Sequence, residues 1–259
     1  LQCVTKNAKE KTYMPNYKMV ALDIDGTILT DDKQITQKTR YWIQEAVDAG
    51  VTVIFATGRG IQRTEELWDD LGLDGPMVMV NGAEIWKSRG ELLERTFIGR
   101  DHIYELHRLA VENNARFWGY SVESLTNQSH WTDEMFERDW LKFGIRHDDL
   151  DTIKRMREEV RRWGNLEVTR SAPVNMEISA KGISKAYGVQ KVCDLLQIPM
   201  EDVMAIGDDL NDLHLIKTVG LGVAMGNADE TLKEAADKIT DTNSHDGVAK
   251  AIEDNLFID

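Results

Sequence analysis

Residues 19–32, MVALDIDGTILTDD, set the expected fold of this 259-residue chain. The apolar run from Met19 to Leu22 predicts a buried strand, and Asp23 and Asp25 follow it two positions apart. Because side chains alternate along an extended chain, the two carboxylates project to the same side. Acidic groups at the end of a buried strand are costly unless a partner compensates their charge. This stretch therefore predicts a functional site at a strand end.

Strand-like and helix-like segments alternate on both sides of a central region. A βαβαβ order is predicted from residue 18 to about residue 86, with residues 76–86 as its third strand, and the same alternation resumes after about residue 182. Such an order is typical of an α/β fold with a parallel sheet. Helices and strands are mixed in between, which predicts an inserted α+β domain. We therefore expect a core of residues 17–82 and 183–259, an insert of residues 83–182, and an N-terminal extension of residues 1–16.

The insert and its edge are rich in tryptophan, at positions 86, 118, 131, 140 and 163. Large rings usually pack against one another, so the favoured interpretation is a second hydrophobic core. A stacking pocket for an aromatic ligand is the alternative.

Charge and cysteine content limit the classes of partner. The net charge of −14 and the isoelectric point near 4.9 argue against nucleic acid and anionic membrane surfaces as partners. Cys3 and Cys193 lie far apart without metal-ligand spacing. We find neither a secretory leader nor an apolar stretch that is long enough to span a bilayer, so a cytoplasmic location is expected.

Polar segments directly follow several predicted strands, and in a parallel sheet the segments that follow the strands meet at one crevice. They are Asp23–Thr27, Thr57–Arg59, Asn81–Gly82 and Gly207–Asp212. Carboxylates from the first and last segments would repel one another unless a hard divalent cation lies among them, and Mg²⁺ fits oxygen ligands. Thr57, Gly58 and Lys185 offer a hydroxyl, backbone N–H groups and an ammonium that suit a phosphate.

The order of these motifs resembles the haloacid dehalogenase superfamily of phosphohydrolases, and more narrowly its Cof-type branch. In that branch a type-2 (C2B) cap domain is inserted between the second and third motifs. The resemblance extends from about Tyr17 to Ile258 and is most specific at DIDGT, residues 23–27, and GDDLND, residues 207–212. It implies a Rossmannoid core with a parallel sheet and an inserted α+β cap.

Carried over by position, the resemblance implies a role for each motif residue. Asp23 would be the nucleophile and Asp25 the general acid/base. The Asp23 carboxylate, the Asp25 backbone carbonyl and Asp208 would hold Mg²⁺, while Asp212 would orient the waters of the metal. Phosphate would be bound by the Ile24 backbone N–H, Thr57, Gly58, Lys185 and Asn211. Lys181 competes with Lys185 as the phosphate lysine.

The predicted function is a Mg²⁺-dependent phosphatase that cleaves small phosphomonoesters, such as sugar phosphates or related metabolites, through an aspartyl-phosphate. The insert would act as a lid that determines specificity. A sugar phosphomutase and a non-catalytic sugar-phosphate sensor are the alternatives. Monomer and dimer both stay open as the oligomeric state.

Overall fold

The computed structural model describes residues 15–257. Most of the predicted N-terminal extension, including Cys3, lies outside the described residues. The strands are β1 Met19–Leu22, β2 Thr52–Phe55, β3 Met77–Met79, β4 Glu84–Ser88, β5 Glu91–Arg95, β6 Arg116–Ser121, β7 Leu125–Asn127, β8 Trp140–Arg146, β9 Leu166–Thr169, β10 Asn175–Ala180, β11 Val203–Gly207, β12 Leu221–Ala224 and β13 Lys238–Ile239. The helices are α1 Gln37–Asp48, α2 Glu65–Asp70, α3 Arg100–Glu112, α4 Leu150–Trp163, α5 Lys185–Leu196, α6 Leu213–Ile216, α7 Glu230–Ala235 and α8 Gly247–Leu256.

Five parallel strands form the central sheet, in the order β13-β12-β11-β1-β2. Every residue of β1 and β11 is buried, as expected for strands that are covered on both faces. The predicted α/β fold with a parallel sheet is confirmed. Since β1 is flanked by β11 and β2, the residues that follow these three strands meet at one edge.

The segment of residues 76–86, predicted as one strand, is instead a hairpin. The strands β3 and β4 pair antiparallel, and β3 joins the central sheet through one parallel bridge, between Ala56 and Val78. The chain reverses at Val80, Asn81 and Gly82, which all have positive φ. The reversal brings Asn81 beside the end of β2, where its backbone N–H donates to the Thr57 carbonyl at 2.9 Å.

A second five-stranded sheet, here called the cap sheet, is antiparallel in the order β7-β6-β8-β10-β9. One of its faces packs with α3 and α4 in a separate hydrophobic cluster that contains Phe117, Phe143 and Ile178. Trp140 is buried in this cluster, and Trp131 and Trp163 pack against it. The predicted second core is therefore confirmed for these three tryptophans.

The other two tryptophans depart from that prediction. Trp86 packs against the core cluster around the parallel sheet, where Ile85 of the same strand is also buried. Among the described residues, Trp118 belongs to neither cluster. The predicted limits of the insert, residues 83 and 182, stay predictions. Across residues 15–257, no helix has the length and apolar character that crossing a membrane requires.

Candidate active site

The residues predicted from separate motifs come together beyond the ends of β1, β2 and β11. A cavity of about 350 Å³ is lined by six of them: Asp23, Asp25, Thr57, Gly58, Asp208 and Asn211. They lie as much as 188 positions apart in the chain, between Asp23 and Asn211. The parallel topology therefore brings them to one crevice, as the sequence predicts.

Three carboxylates form the centre of the site. Oxygen atoms of Asp23, Asp208 and Asp212 lie within 4.8 Å of one another. Lys185, which is fully buried, donates through Nζ to Asp23 Oδ1 at 2.7 Å and to Asp212 Oδ1 at 2.7 Å. Asp212 is further engaged through Oδ2, which accepts from the backbone N–H groups of Asp208 and Asp209. Asp212 thus holds the loop after β11 in place.

The cluster carries more negative charge than its surroundings compensate. Burial, followed by the charges of Asp23 and Asp212, raises the pKa of Asp208 to about 9. Burial also raises the pKa of Asp23 to about 6, although Lys185 opposes the shift. A buried carboxyl with a raised pKa is unfavourable in its ionised form unless a cation is near. Oxygen ligands in this arrangement fit a hard divalent metal ion, so the three aspartates could bind one.

Gly26 makes the close approach of Asp208 to the end of β1 sterically feasible. Its φ is +76°, and a Cβ at this position would lie 2.1 Å from Asp208 Oδ2. The next residue, Thr27, donates its hydroxyl to Asp208 Oδ1 at 3.4 Å. The glycine and threonine of the DIDGT motif therefore serve the contact between two distant segments.

Asp25 is placed differently from Asp23, because its side chain is half exposed and paired with Arg59. The Arg59 Nε and Nη2 atoms each donate to one Asp25 oxygen at 2.7 Å. Burial acts to raise the pKa of Asp25, but the hydrogen bonds and charge of Arg59, followed by Lys33, outweigh it and lower the pKa. The sequence analysis assigned no role to Arg59, although it follows Thr57 and Gly58 directly.

The predicted phosphate-binding groups are only partly exposed to the cavity. Asn211 donates through Nδ2 to Asn81 Oδ1 at 3.3 Å, while its own Oδ1 is buried without a hydrogen-bond partner among the described residues. Ile24 is buried, and its backbone N–H acts to lower the pKa of the Asp23 carboxyl, against the larger effect of burial. Lys185 reaches the site through Asp23 rather than through the cavity wall. Lys181 is exposed, whereas Lys185 is buried beside the carboxylates.

The cap sheet covers the cavity with side chains of which the sequence analysis named only Trp118. Trp118, Tyr120, Lys142, Asn175 and Glu177 all line it. Strand alternation was the available signal, because these positions alternate with residues such as Phe117, Phe143 and Met176, which pack in the second cluster.

Buried polar contacts join the cap sheet to the core beside the cavity. Lys142 Nζ donates to the Gly58 carbonyl at 2.7 Å and lies 3.1 Å from Glu177 Oε2. Asn81 Nδ2 donates to the same Glu177 oxygen at 2.6 Å. Arg170, which follows β9, pairs with Asp229 of the core. The phosphate-binding loop predicted at Gly58 is therefore in direct contact with the cap sheet.

The sequence is similar to known proteins over most of its length. A family model described as haloacid dehalogenase-like hydrolase matches residues 20–144 and 126–252. The chain is 44% identical over 235 residues, 91% of this chain and 94% of the relative, to the 5-amino-6-(5-phospho-D-ribitylamino)uracil phosphatase YcsE of Bacillus subtilis.

Solved structures show the same fold. A haloacid dehalogenase-like hydrolase from Bacteroides thetaiotaomicron matches with a TM-score of 0.76 and 28% identity, over 92% of this chain and 99% of that chain. A sugar phosphatase of subclass IIB of the same superfamily, BT4131, matches with a TM-score of 0.81 and 22% identity, over 92% of this chain and 98% of that chain.

Proposed function

Because this chain belongs to the haloacid dehalogenase-like hydrolases and is a phosphatase of that family, we propose that it cleaves small phosphomonoesters through an aspartyl-phosphate on Asp23. The proposed substrates are sugar phosphates or related metabolites. Asp23 is the nucleophile, Asp25 the general acid/base, and Mg²⁺ the cofactor, held by the carboxylates of Asp23 and Asp208 and the backbone carbonyl of Asp25.

The first step transfers the phosphoryl group to the enzyme. A carboxylate oxygen of Asp23 attacks phosphorus as the bond to the leaving oxygen breaks, and Asp25 donates a proton to that oxygen. Asp25 is paired with Arg59, which favours its carboxylate form. Proton donation therefore requires Asp25 to turn away from Arg59 towards the substrate. Bound Mg²⁺ would supply charge neutralisation for the phosphoryl oxygens.

The second step releases phosphate. Asp25, now a carboxylate, takes a proton from a water molecule whose oxygen attacks phosphorus, and the bond between phosphorus and Asp23 breaks. Lys185 stabilises the returning Asp23 carboxylate, which it contacts at 2.7 Å. Thr57, Gly58, Asn211 and the backbone N–H of Ile24 are proposed to hold the phosphoryl oxygens.

One observation carries this proposal: buried Asp23 lies between Lys185 and Asp208 at the wall of a cavity that also contains Asp25. Hydrolases that form a covalent intermediate need a nucleophile and a proton-transfer group on one reacting centre. The site meets this requirement with residues from the first motif alone. The cap sheet, which roofs the same cavity, would exclude bulk water before the first step.

Phosphate release from a panel of phosphomonoesters tests the proposal, with Mg²⁺ and then with a chelator. The panel should include 5-amino-6-(5-phospho-D-ribitylamino)uracil and D-ribitol 5-phosphate, which carries the phosphorylated chain without the ring. Metal-dependent release is expected from the wild type, and none from Asp23→Asn. Turnover by the Asn variant would exclude the assigned nucleophile, and activity that is indifferent to the chelator would exclude the metal assignment.

A further inference from the structure

Trp118 occupies a position between two cavities. It is partly buried, and among the described residues it packs in neither hydrophobic cluster. It lines the active-site cavity together with Asp23. It also lines a neighbouring cavity of about 650 Å³, to which Asp23 does not contribute. A large ring at the junction of two cavities is available for contact with a ligand that extends from one into the other.

Gly144 determines how the Trp118 ring lies. The two residues are cross-strand partners on β6 and β8. A Cβ at Gly144 would lie 2.1 Å from Cε2 and 2.3 Å from Cζ2 of the indole. The ring therefore lies against the backbone of β8, where any other side chain would displace it. Glycine weakens the interior of a strand, so its presence here marks a close approach.

The neighbouring cavity offers groups that suit the polar edge of a planar ring. Asn127 and Gln128, at the end of β7, carry amides that both donate and accept hydrogen bonds. Asn127 is the cross-strand partner of Trp118 on the side away from Gly144. Phosphate chemistry is confined to the other cavity, which contains Asp23. The two cavities thus divide an extended substrate into a phosphate end and a ring end.

We propose that Trp118 stacks on a planar heteroaromatic ring in the leaving group of the substrate, with the polar edge of the ring at Asn127 and Gln128. This inference rests on the proposed function and narrows its substrate class to phosphomonoesters in which a flexible chain joins the phosphate to a ring. Trp118 is then a residue that determines specificity. Its structural alternative is to shield the backbone at Gly144 from water.

Steady-state kinetics on the two ribityl esters of the panel separate these roles, because the esters differ in the ring alone. Trp118→Leu is expected to lower kcat/KM roughly tenfold for the uracil ester, mainly through KM, and at most about twofold for ribitol phosphate. Trp118→Phe retains an aromatic ring, so it should recover most of the kcat/KM that Trp118→Leu loses on the uracil ester. Trp163→Phe, which changes a tryptophan of the second cluster, is the matched control.

Gly144→Ala gives an independent test, since its Cβ would push the indole from its place. It should reproduce the ring-specific rise in KM while leaving cleavage of ribitol phosphate within about twofold of wild type. An equal loss on both esters in the Trp118 variants, or no loss on either, would overturn the inference while the phosphatase assignment stands. If the wild-type protein releases phosphate from no ester, the proposed function itself fails.

Discussion

Replacing Lys142 with methionine should destabilise the protein strongly, because it removes the cation from a buried ion pair. The Lys142 and Glu177 side chains are 3% and 7% exposed, with Nζ 3.1 Å from Oε2. Methionine keeps most of the apolar volume of lysine and removes the charge. Glu177 would then be a buried carboxylate that lacks its cationic neighbour, and the Gly58 carbonyl would lose a donor that now lies at 2.7 Å.

The expected magnitude follows from what remains around Glu177. Breaking a buried pair from one side costs about 3–5 kcal/mol. Asn81 and Ser171 still donate to Glu177, at 2.6 and 2.9 Å, so we expect a loss of unfolding free energy near the lower limit, about 3 kcal/mol. Combining Lys142→Met with Glu177→Gln removes the uncompensated charge, so the double variant should recover about 2 kcal/mol of that loss.

Urea unfolding, followed by circular dichroism and tryptophan fluorescence, measures these differences. Lys87→Met is the matched control, because Lys87 pairs with Glu91 at 2.7 Å on the surface, where the side chains are 46% and 56% exposed. An exposed pair contributes at most about 1 kcal/mol. Equal losses in the Lys142 and Lys87 variants, or a double variant no more stable than Lys142→Met, would refute the reasoning.

Three further outcomes are expected near the site. Asp208→Asn should raise the thermal midpoint in the presence of a chelator, because the raised pKa of Asp208 makes its ionised form unfavourable at neutral pH. In the same melting assay, the variant should lose the stabilisation that Mg²⁺ gives the wild-type protein. Arg59→Met should raise the pKa of Asp25 and move the acidic limb of the pH profile of kcat to higher pH. If the limb does not move, it does not report the ionisation of Asp25. Burial acts to raise the pKa of Glu177, but Lys142 and then Asn81 outweigh it and lower the pKa below 4.5. The unfolding free energy of the wild-type protein should therefore fall as the pH drops below 4.5. Glu177→Gln should make that fall less steep when stability is measured at a series of acidic pH values.

Motif order and strand ends were readable from the sequence because they depend on local pattern. The apolar run before Asp23 predicts β1, and the parallel alternation predicts that Asp208 reaches the same edge of the sheet. The hairpin at residues 77–88 was missed because hydrophobic runs do not encode a reversal. That reversal depends on left-handed backbone at Val80 and Asn81, conformations that side chains other than glycine adopt only in specific surroundings.

The position of the cap-sheet residues over the cavity was only partly predictable from the sequence. Alternation in β6 and β8 separates Trp118 and Lys142 from the residues of the second cluster, so two faces could be assigned from the sequence. Strand alternation does not show which face meets the core. The sequence predicted that Thr57–Arg59 and Asp23–Thr27 meet at one crevice, but only the fold shows that Arg59 pairs with Asp25, 34 positions earlier in the chain.

The amino-acid sequence by itself predicted which motifs meet at the ends of the parallel strands, because the spacing of residues along a strand and the order of motifs along the chain can be read locally. Tertiary structure alone decided that Lys185 bridges Asp23 and Asp212. It also decided that Lys142, Glu177 and Trp118 line the cavity above them. These arrangements depend on how two separately formed sheets pack together. Packing of that kind follows from the shape and charge of whole surfaces, which no short stretch of residues contains.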